Sequence, residues 1–151
     1  MKVRLEIDET LSEPEVVIRA ASKDPTASRL QQLLAQTAST GTLICYQGTT
    51  EYFINYDAII FVETADRRLQ VHTVDNIYTS KKHLYELADT LPGYFLQVSK
   101  SALINLYQVN ALTKSISNCL ISFRNTHKQV YASRRYYKQL QERLNEMRSS
   151  L

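Results

Sequence analysis

Tyr94-Phe95-Leu96-Gln97-Val98-Ser99-Lys100-Ser101-Ala102-Leu103-Ile104-Asn105-Leu106 is the stretch whose reading decides the fold. Phe95, Leu96 and Val98 favour a strand, as do Ala102, Leu103 and Ile104. Ser99, Lys100 and Ser101 interrupt them with three polar groups where a buried strand would carry none. The pattern predicts two core strands joined by a tight turn. Two readings of that turn stay open from the residues themselves. Its hydroxyls can bond the local backbone, or the turn can be a rigidly mounted loop that offers one cation and two hydroxyls to an anionic partner.

On either side the chain continues in short strands. Thr42 to Gln47, Glu51 to Tyr56, Leu69 to Val74 and Asn76 to Thr79 read as strands, and Ile59-Ile60-Phe61-Val62 as a fully buried one. Asp66-Arg67-Arg68 is a polar hairpin turn. A helix is expected to begin at Ser80, with Leu84, Leu87, Ala88 and Leu91 on one face and Pro92-Gly93 as its stop. Val109 to Leu112 is another strand, and Leu120 to Phe123 pairs with Gln129 to Ala132 as a hairpin. Ser133 opens a last helix whose buried stripe is Tyr137, Leu140, Leu144 and Met147. Residues 42–151 therefore predict a mainly β domain with short helices. Before it, Val3, Leu5 and Ile7 alternate with Lys2, Arg4, Glu6 and Asp8, Glu15 to Ala20 reads as a second strand, and Asp24-Pro25 starts a helix reaching about Ala38. Residues 1–40 are thus expected to be a small acidic β-β-α segment with too little apolar surface to stand alone.

The 151 residues suit one domain with an added segment. No apolar run approaches the ~20 residues that span a bilayer, and the first residues lack a signal-peptide core. Cys45 and Cys119 have no metal-ligand spacing and read as reduced core thiols. A cytoplasmic protein is expected. Charge is segregated: residues 1–66 hold five Lys/Arg against ten Asp/Glu, and residues 67–151 hold thirteen against five, giving −5 and +8. A basic half beside an acidic one points to a polyanion-binding surface in the later half. Enzyme readings have no residue set behind them. There is no GxSxG, HExxH or phosphate-cradling glycine loop. His72, His83 and His127 are scattered, and Asp57, Glu63 and Asp66 face no nucleophile. No catalytic residue, metal site or cofactor is expected.

Cations recur at the predicted turns. Both expected helices begin alike, with Ser80-Lys81-Lys82 and Ser133-Arg134-Arg135. A helix N-terminus carries partial positive charge, so paired cations there make better sense with an anion bound. Arg67 and Arg68 at a hairpin tip, and Lys100 in the opening stretch, add two more basic points. Tyr136 could stack on bases, whereas Tyr137 falls on the apolar face of the last helix.

Phe95-Leu96-Gln97-Val98-Ser99-Lys100-Ser101-Ala102-Leu103-Ile104-Asn105, followed by Ser133-Arg134-Arg135-Tyr136-Tyr137, resembles the LytTR DNA-binding domain. The run Asp57-Ala58-Ile59-Ile60-Phe61-Val62-Glu63 is similar to that family's aspartate-isoleucine strand, and the resemblance spans roughly Thr42 to Leu144. Many members place histidine and arginine where Ser99 and Lys100 stand. The serine-lysine-serine version here looks like short, free-standing members without a receiver domain. The resemblance implies a compact β fold that presses loops and a helix N-terminus into the major groove of double-stranded DNA. Arg67 and Arg68 would lie in the first contacting loop, Lys100 with Ser99 and Ser101 in the second, and Ser133, Arg134 and Arg135 at the last helix. Lys81 and Lys138 would hold phosphates. The implied function is a sequence-specific transcription regulator, a homodimer joined through residues 1–40, with a small membrane protein as its controlling partner. The rivals are an interaction module of the same fold that titrates another regulator, and a single-strand or RNA binder.

Overall fold

A computed structural model describes residues 1–12, 14–21, 24–38 and 41–149. The protein is mostly β-sheet with three short helices. Helix α1 spans Pro25–Ala38. Strands follow as β1 (Thr42–Gln47), β2 (Thr50–Asn55), β3 (Phe61–Ala65), β4 (Arg68–His72) and β5 (Ile77–Ser80). After helix α2 (Leu84–Thr90) come β6 (Phe95–Ser99), β7 (Ala102–Asn105), β8 (Val109–Lys114), β9 (Cys119–Phe123) and β10 (Gln129–Ala132), and helix α3 (Arg134–Ser149) closes the chain. A seven-stranded sheet has the order β2-β1-β5-β4-β3-β7-β6, and a three-stranded sheet the order β10-β9-β8. Every neighbouring pair is antiparallel.

The opening stretch is a hairpin at the centre of this packing, as its residues predict. All four residues of β7 are buried because both faces of the sheet are covered there. Ala102 and Ile104 face the three-stranded sheet, packing with Phe61, Ile121, Phe123, Ala132 and Leu140 of α3. Leu103 faces the other way, into a second core with Val62, Leu69, Val71 and Leu87 of α2. Asn105 ends the strand buried and fully used: its Nδ2 donates to the Ile59 carbonyl at 3.0 Å, and its Oδ1 accepts from the Tyr107 N–H at 3.0 Å. Burying a polar side chain at such a junction is tolerable only with both ends bonded. Cys45 and Cys119 are buried free thiols, as expected.

Several expectations need correction. The strands expected at residues 2–8 and 15–20 do not form among the described residues. Period-2 alternation is necessary for a half-buried strand but does not supply a partner edge, and Val3, Leu5 and Ile7 are exposed. The helix of that segment forms as read, with Asp24 Oδ1 accepting from the Thr26 N–H at 2.8 Å. The linker at residues 39–40 lies outside the described residues. The buried run at Ile59 divides: Ile59 and Ile60 are buried ahead of the strand, which begins at Phe61. Helix α2 begins at Leu84, not after Ser80. Ser80 is the buried last residue of β5, and the Glu86 carboxylate accepts from the His83 N–H at 3.3 Å to set the true start. Ala88 is exposed, so the α2 stripe reduces to Leu84, Leu87 and Leu91. On α3, Leu140 is buried and Tyr137, Leu144 and Met147 pack against the same core.

Candidate nucleic-acid interface

Strand register brings the basic turns together. In β3, Glu63 lies opposite Ala102, so the end of β3 meets the start of β7. The Thr64 N–H donates to the Ser101 carbonyl at 2.8 Å, which fixes the β3–β4 turn beside the β6–β7 turn. On the far side of β6, the Ser133 N–H donates to the Val98 carbonyl at 2.9 Å. That bond seats the start of α3 next to Ser99. Leu69 pairs with Ser80, so Lys81 and Lys82 leave β5 at the same end of the sheet. In the small sheet, Cys119 pairs with both Lys114 and Ala132, so the β8–β9 turn also projects from this end.

Each turn is rigid in its own way. Asp66 and Arg67 have φ of 53° and 65°, both left-handed, which is the geometry of a two-residue hairpin turn whose twist matches the flanking strands. Aspartate tolerates that region, but arginine there carries backbone strain of about 1 kcal/mol. At the β6–β7 turn the Ser99 hydroxyl accepts from the Ser101 N–H at 3.2 Å and approaches the Ser101 hydroxyl at 3.4 Å. The first reading of this turn, local bracing by its hydroxyls, is the one these bonds show. Its serines brace the backbone, and Lys100 stands exposed at the tip. Arg134 and Arg135 open α3 with no carboxylate in its first turn. The Arg135 guanidinium lies 5.7 Å from the Tyr136 ring centre. Lys138 is exposed one turn along, on the face of Arg134.

The arginines and lysines of this end have no carboxylate partners. Among the described residues, the ion pairs are Arg4 with Glu6, Arg143 with Glu146 and a Glu63–His72 contact. None involves Arg67, Arg68, Lys81, Lys100, Arg134, Arg135 or Lys138. For Lys100, Arg134, Arg135 and Lys138 the sequence explains the lack: between Asp89 and Glu142 there is no Asp or Glu, while seven Lys/Arg fall in that interval. Asp66 shares the β3–β4 turn with Arg67 but is in none of these ion pairs. Such an end concentrates positive potential over exposed hydroxyls and cations, which suits a polyanion.

One expectation about the site changes. Lys81 and Lys82 are not in a helix first turn, so the argument from helix polarity applies to Arg134 and Arg135 alone. Lys81 instead lies with its Nζ 4.5 Å over the Tyr46 ring. Thr64 went unnoticed in the sequence because its role is carried by a backbone N–H, which no side-chain pattern reveals.

His72 lies opposite Phe61, at the end of β4 away from the β3–β4 turn, and Glu63 lies between that pair and the turn. His72 is buried and stacked on Phe61, ring centres 4.1 Å apart. Its Nε2 is 3.2 Å from Glu63 Oε1, but neither ring nitrogen makes an aligned hydrogen bond. Burial pushes the imidazole down from 6.5 to about 4, helped by the nearby Lys128 ammonium, and burial raises the Glu63 carboxyl.

Comparison with known proteins agrees with this architecture. The family model "LytTr DNA-binding domain" matches residues 50–145. An uncharacterised HTH-type transcriptional regulator of Staphylococcus aureus strain NCTC 8325 is 26% identical over 145 residues, covering 96% of this chain and 99% of the relative. The counterpart from strain MRSA252 is 25% identical over the same length. Despite the relatives' name, α1, α2 and α3 here are separated by strands, so no two consecutive helices form a helix-turn-helix. A solved LytTr DNA-binding domain of a methyl-accepting/DNA response regulator from Bacillus cereus superposes with a TM-score of 0.63 at 19% identity, covering 68% of this chain and 94% of that one. Since the matched model runs from β2 into α3 and covers more than half of the chain, the chain belongs to the LytTR DNA-binding domain family.

Proposed function

We propose that the protein is a sequence-specific transcription regulator that grips duplex DNA with the basic end of its fold. The observation that carries this is the convergence of Arg67, Lys100 and Arg135 on one end, none of them in an ion pair among the described residues. Lys100 and Arg135 would read base edges in the major groove, where a cationic side chain can bond guanine O6 and N7. Arg67, Arg68, Lys81, Arg134 and Lys138 would hold phosphates, with Ser99, Ser101 and Ser133 donating hydroxyl bonds alongside. The Ser99 hydroxyl already accepts a backbone bond, so its part in readout is the shortest in reach.

Two copies acting on repeated half-sites would fit the small size of one basic end. The exposed apolar side of residues 2–8 is a candidate surface for pairing them, since Val3, Leu5 and Ile7 are each at least 84% exposed. The regulator would act in the cytoplasm, and a small membrane protein could control it through residues 1–40. No described helix is long and apolar enough to cross a membrane.

Selection from a random duplex pool tests the reading, followed by gel shift with Lys100→Ala and Arg135→Ala. Each change is expected to weaken the selected duplex by about 10- to 100-fold and to relax preference at its own positions. If both variants bind like wild type, the chain is better read as an interaction module that kept the fold.

A further inference from the structure

The β8–β9 turn is not among the cations and hydroxyls that the sequence points to, yet it stands in line with them. Lys114 and Ala132 flank Cys119 on either side in the small sheet. Ala132 leads directly into Ser133, whose N–H is bonded to Val98 beside the Ser99–Ser101 turn. With strands about 4.8 Å apart, Lys114 lies roughly 10 Å from the start of α3, on the side away from Lys100. The basic end is therefore longer than the loops already described, and this turn is its outermost element on that side.

The turn is built to hold its groups still. The Ser115 hydroxyl donates toward the Asn118 carbonyl at 3.1 Å and Asn118 Oδ1 at 2.8 Å, and the Asn118 N–H donates back to Ser115 Oγ at 3.3 Å. Lys114 Nζ rests 4.7 Å over the Tyr137 ring, which steers its charge toward the opening turn of α3. Ser117 is exposed, and Ile116 at the tip is 92% exposed. No carboxylate lies anywhere in β8, this turn or β9.

We infer that the β8–β9 turn is a further phosphate-binding element for duplex DNA, with Lys114 as its cation and Ser117 as its hydroxyl donor. This rests on the duplex-binding reading and lengthens it. A nucleotide adds ~3.4 Å of axial rise per strand, so the turn would meet the backbone about three nucleotides beyond the phosphates held at the α3 start. Ile116 would lie against the sugar edge between them. Contacts of this kind position the duplex without reading its sequence.

The test uses the full-length protein and the duplex selected from a random pool. Binding is measured from about 50 to 200 mM salt, with hydroxyl-radical footprints of the same complexes. Lys114→Gln is expected to weaken binding about five- to tenfold near 0.1 M salt and to lower the salt slope by about one, equally on selected and unselected duplexes. Lys114→Arg should restore the slope. Ser117→Glu, a change at an exposed turn that leaves the core untouched, should weaken binding at least as much as Lys114→Gln. Protection should be lost at one extremity of the footprint only. An unchanged slope in both Lys114→Gln and Ser117→Glu overturns this inference while leaving duplex binding standing, as does a loss of protection spread evenly over the site. A wild-type protein that binds no duplex overturns both.

Discussion

The two ends of the seven-stranded sheet both carry cations, and they use them differently. At the end with the β3–β4 and β6–β7 turns, Arg67, Lys100, Arg134 and Arg135 point at solvent with no acidic partner. At the other end, the Lys128 ammonium donates to the Thr73 carbonyl at 2.9 Å and the Asn76 carbonyl at 2.7 Å. The Thr126 hydroxyl donates to the Val74 carbonyl at 3.2 Å, and Arg124 Nε donates to the Val109 carbonyl at 3.3 Å. The Lys128 and Thr126 bonds tie the β9–β10 turn to the β4–β5 loop and so join the two sheets, while the Arg124 bond stays within the small sheet. A cation count would not separate the two ends. What separates them is whether backbone carbonyls already occupy the donors.

Charge reversal at each end gives the sharpest contrast. If the α3 start faces phosphate as proposed, Arg135→Glu should lower duplex affinity by about 100-fold or more, because it would remove a contact and add repulsion there. Arg124→Glu should change it less than about twofold beyond the general effect of net charge. Equal losses in gel shifts at matched ionic strength would erase the distinction between the ends. Lys128→Met should show the converse. It removes two charge-assisted bonds, although the Asn76 carbonyl keeps the Thr73 N–H, for about 1–2 kcal/mol of stability by denaturant unfolding. Its salt slope of DNA binding should match wild type.

Acid should act behind the interface, at His72. Because burial holds its folded-state value near 4 rather than 6.5, the unfolded chain binds the proton more tightly. The stability it contributes is complete above about pH 6.5 and is lost as pH falls toward 4. The raised Glu63 carboxyl works in the opposite sense and offsets part of the loss. Unfolding free energy measured across that window should fall by about 2 kcal/mol in wild type and remain flatter in His72→Leu. The smallest effect is expected at the strained turn. Arg67→Gly should raise stability by about 0.5–1 kcal/mol, since glycine adopts positive φ freely, while weakening duplex binding several-fold. A variant that loses stability would show that the Arg67 side chain, not its backbone, holds the turn.

Local patterns in the sequence exposed most of the strands and all three helices. The tip Ser99-Lys100-Ser101 announced itself because polar groups break an apolar run, and the β9–β10 hairpin because two strand patterns flank a polar quintet. Ser80-Lys81-Lys82 misled because it copies the start of α3. The difference lay at His83, where Glu86, three residues on, accepts from its N–H, while nothing equivalent reaches Ser80. Val3, Leu5 and Ile7 misled because alternation says nothing about a partner. The gathering of the cations was not legible from local patterns and came only with the family resemblance. It depends on β3 lying between β4 and β7, a long-range choice made by the packing of two cores rather than by any neighbouring residues.

The bonds from Thr64 to Ser101 and from Ser133 to Val98 join main chain to main chain. The intervals between the contacting turns are therefore set by sheet dimensions and do not change when side chains do. If Lys100 and Arg135 read bases as proposed, exchanging them would alter which letters are recognised while the spacing between those letters stayed constant.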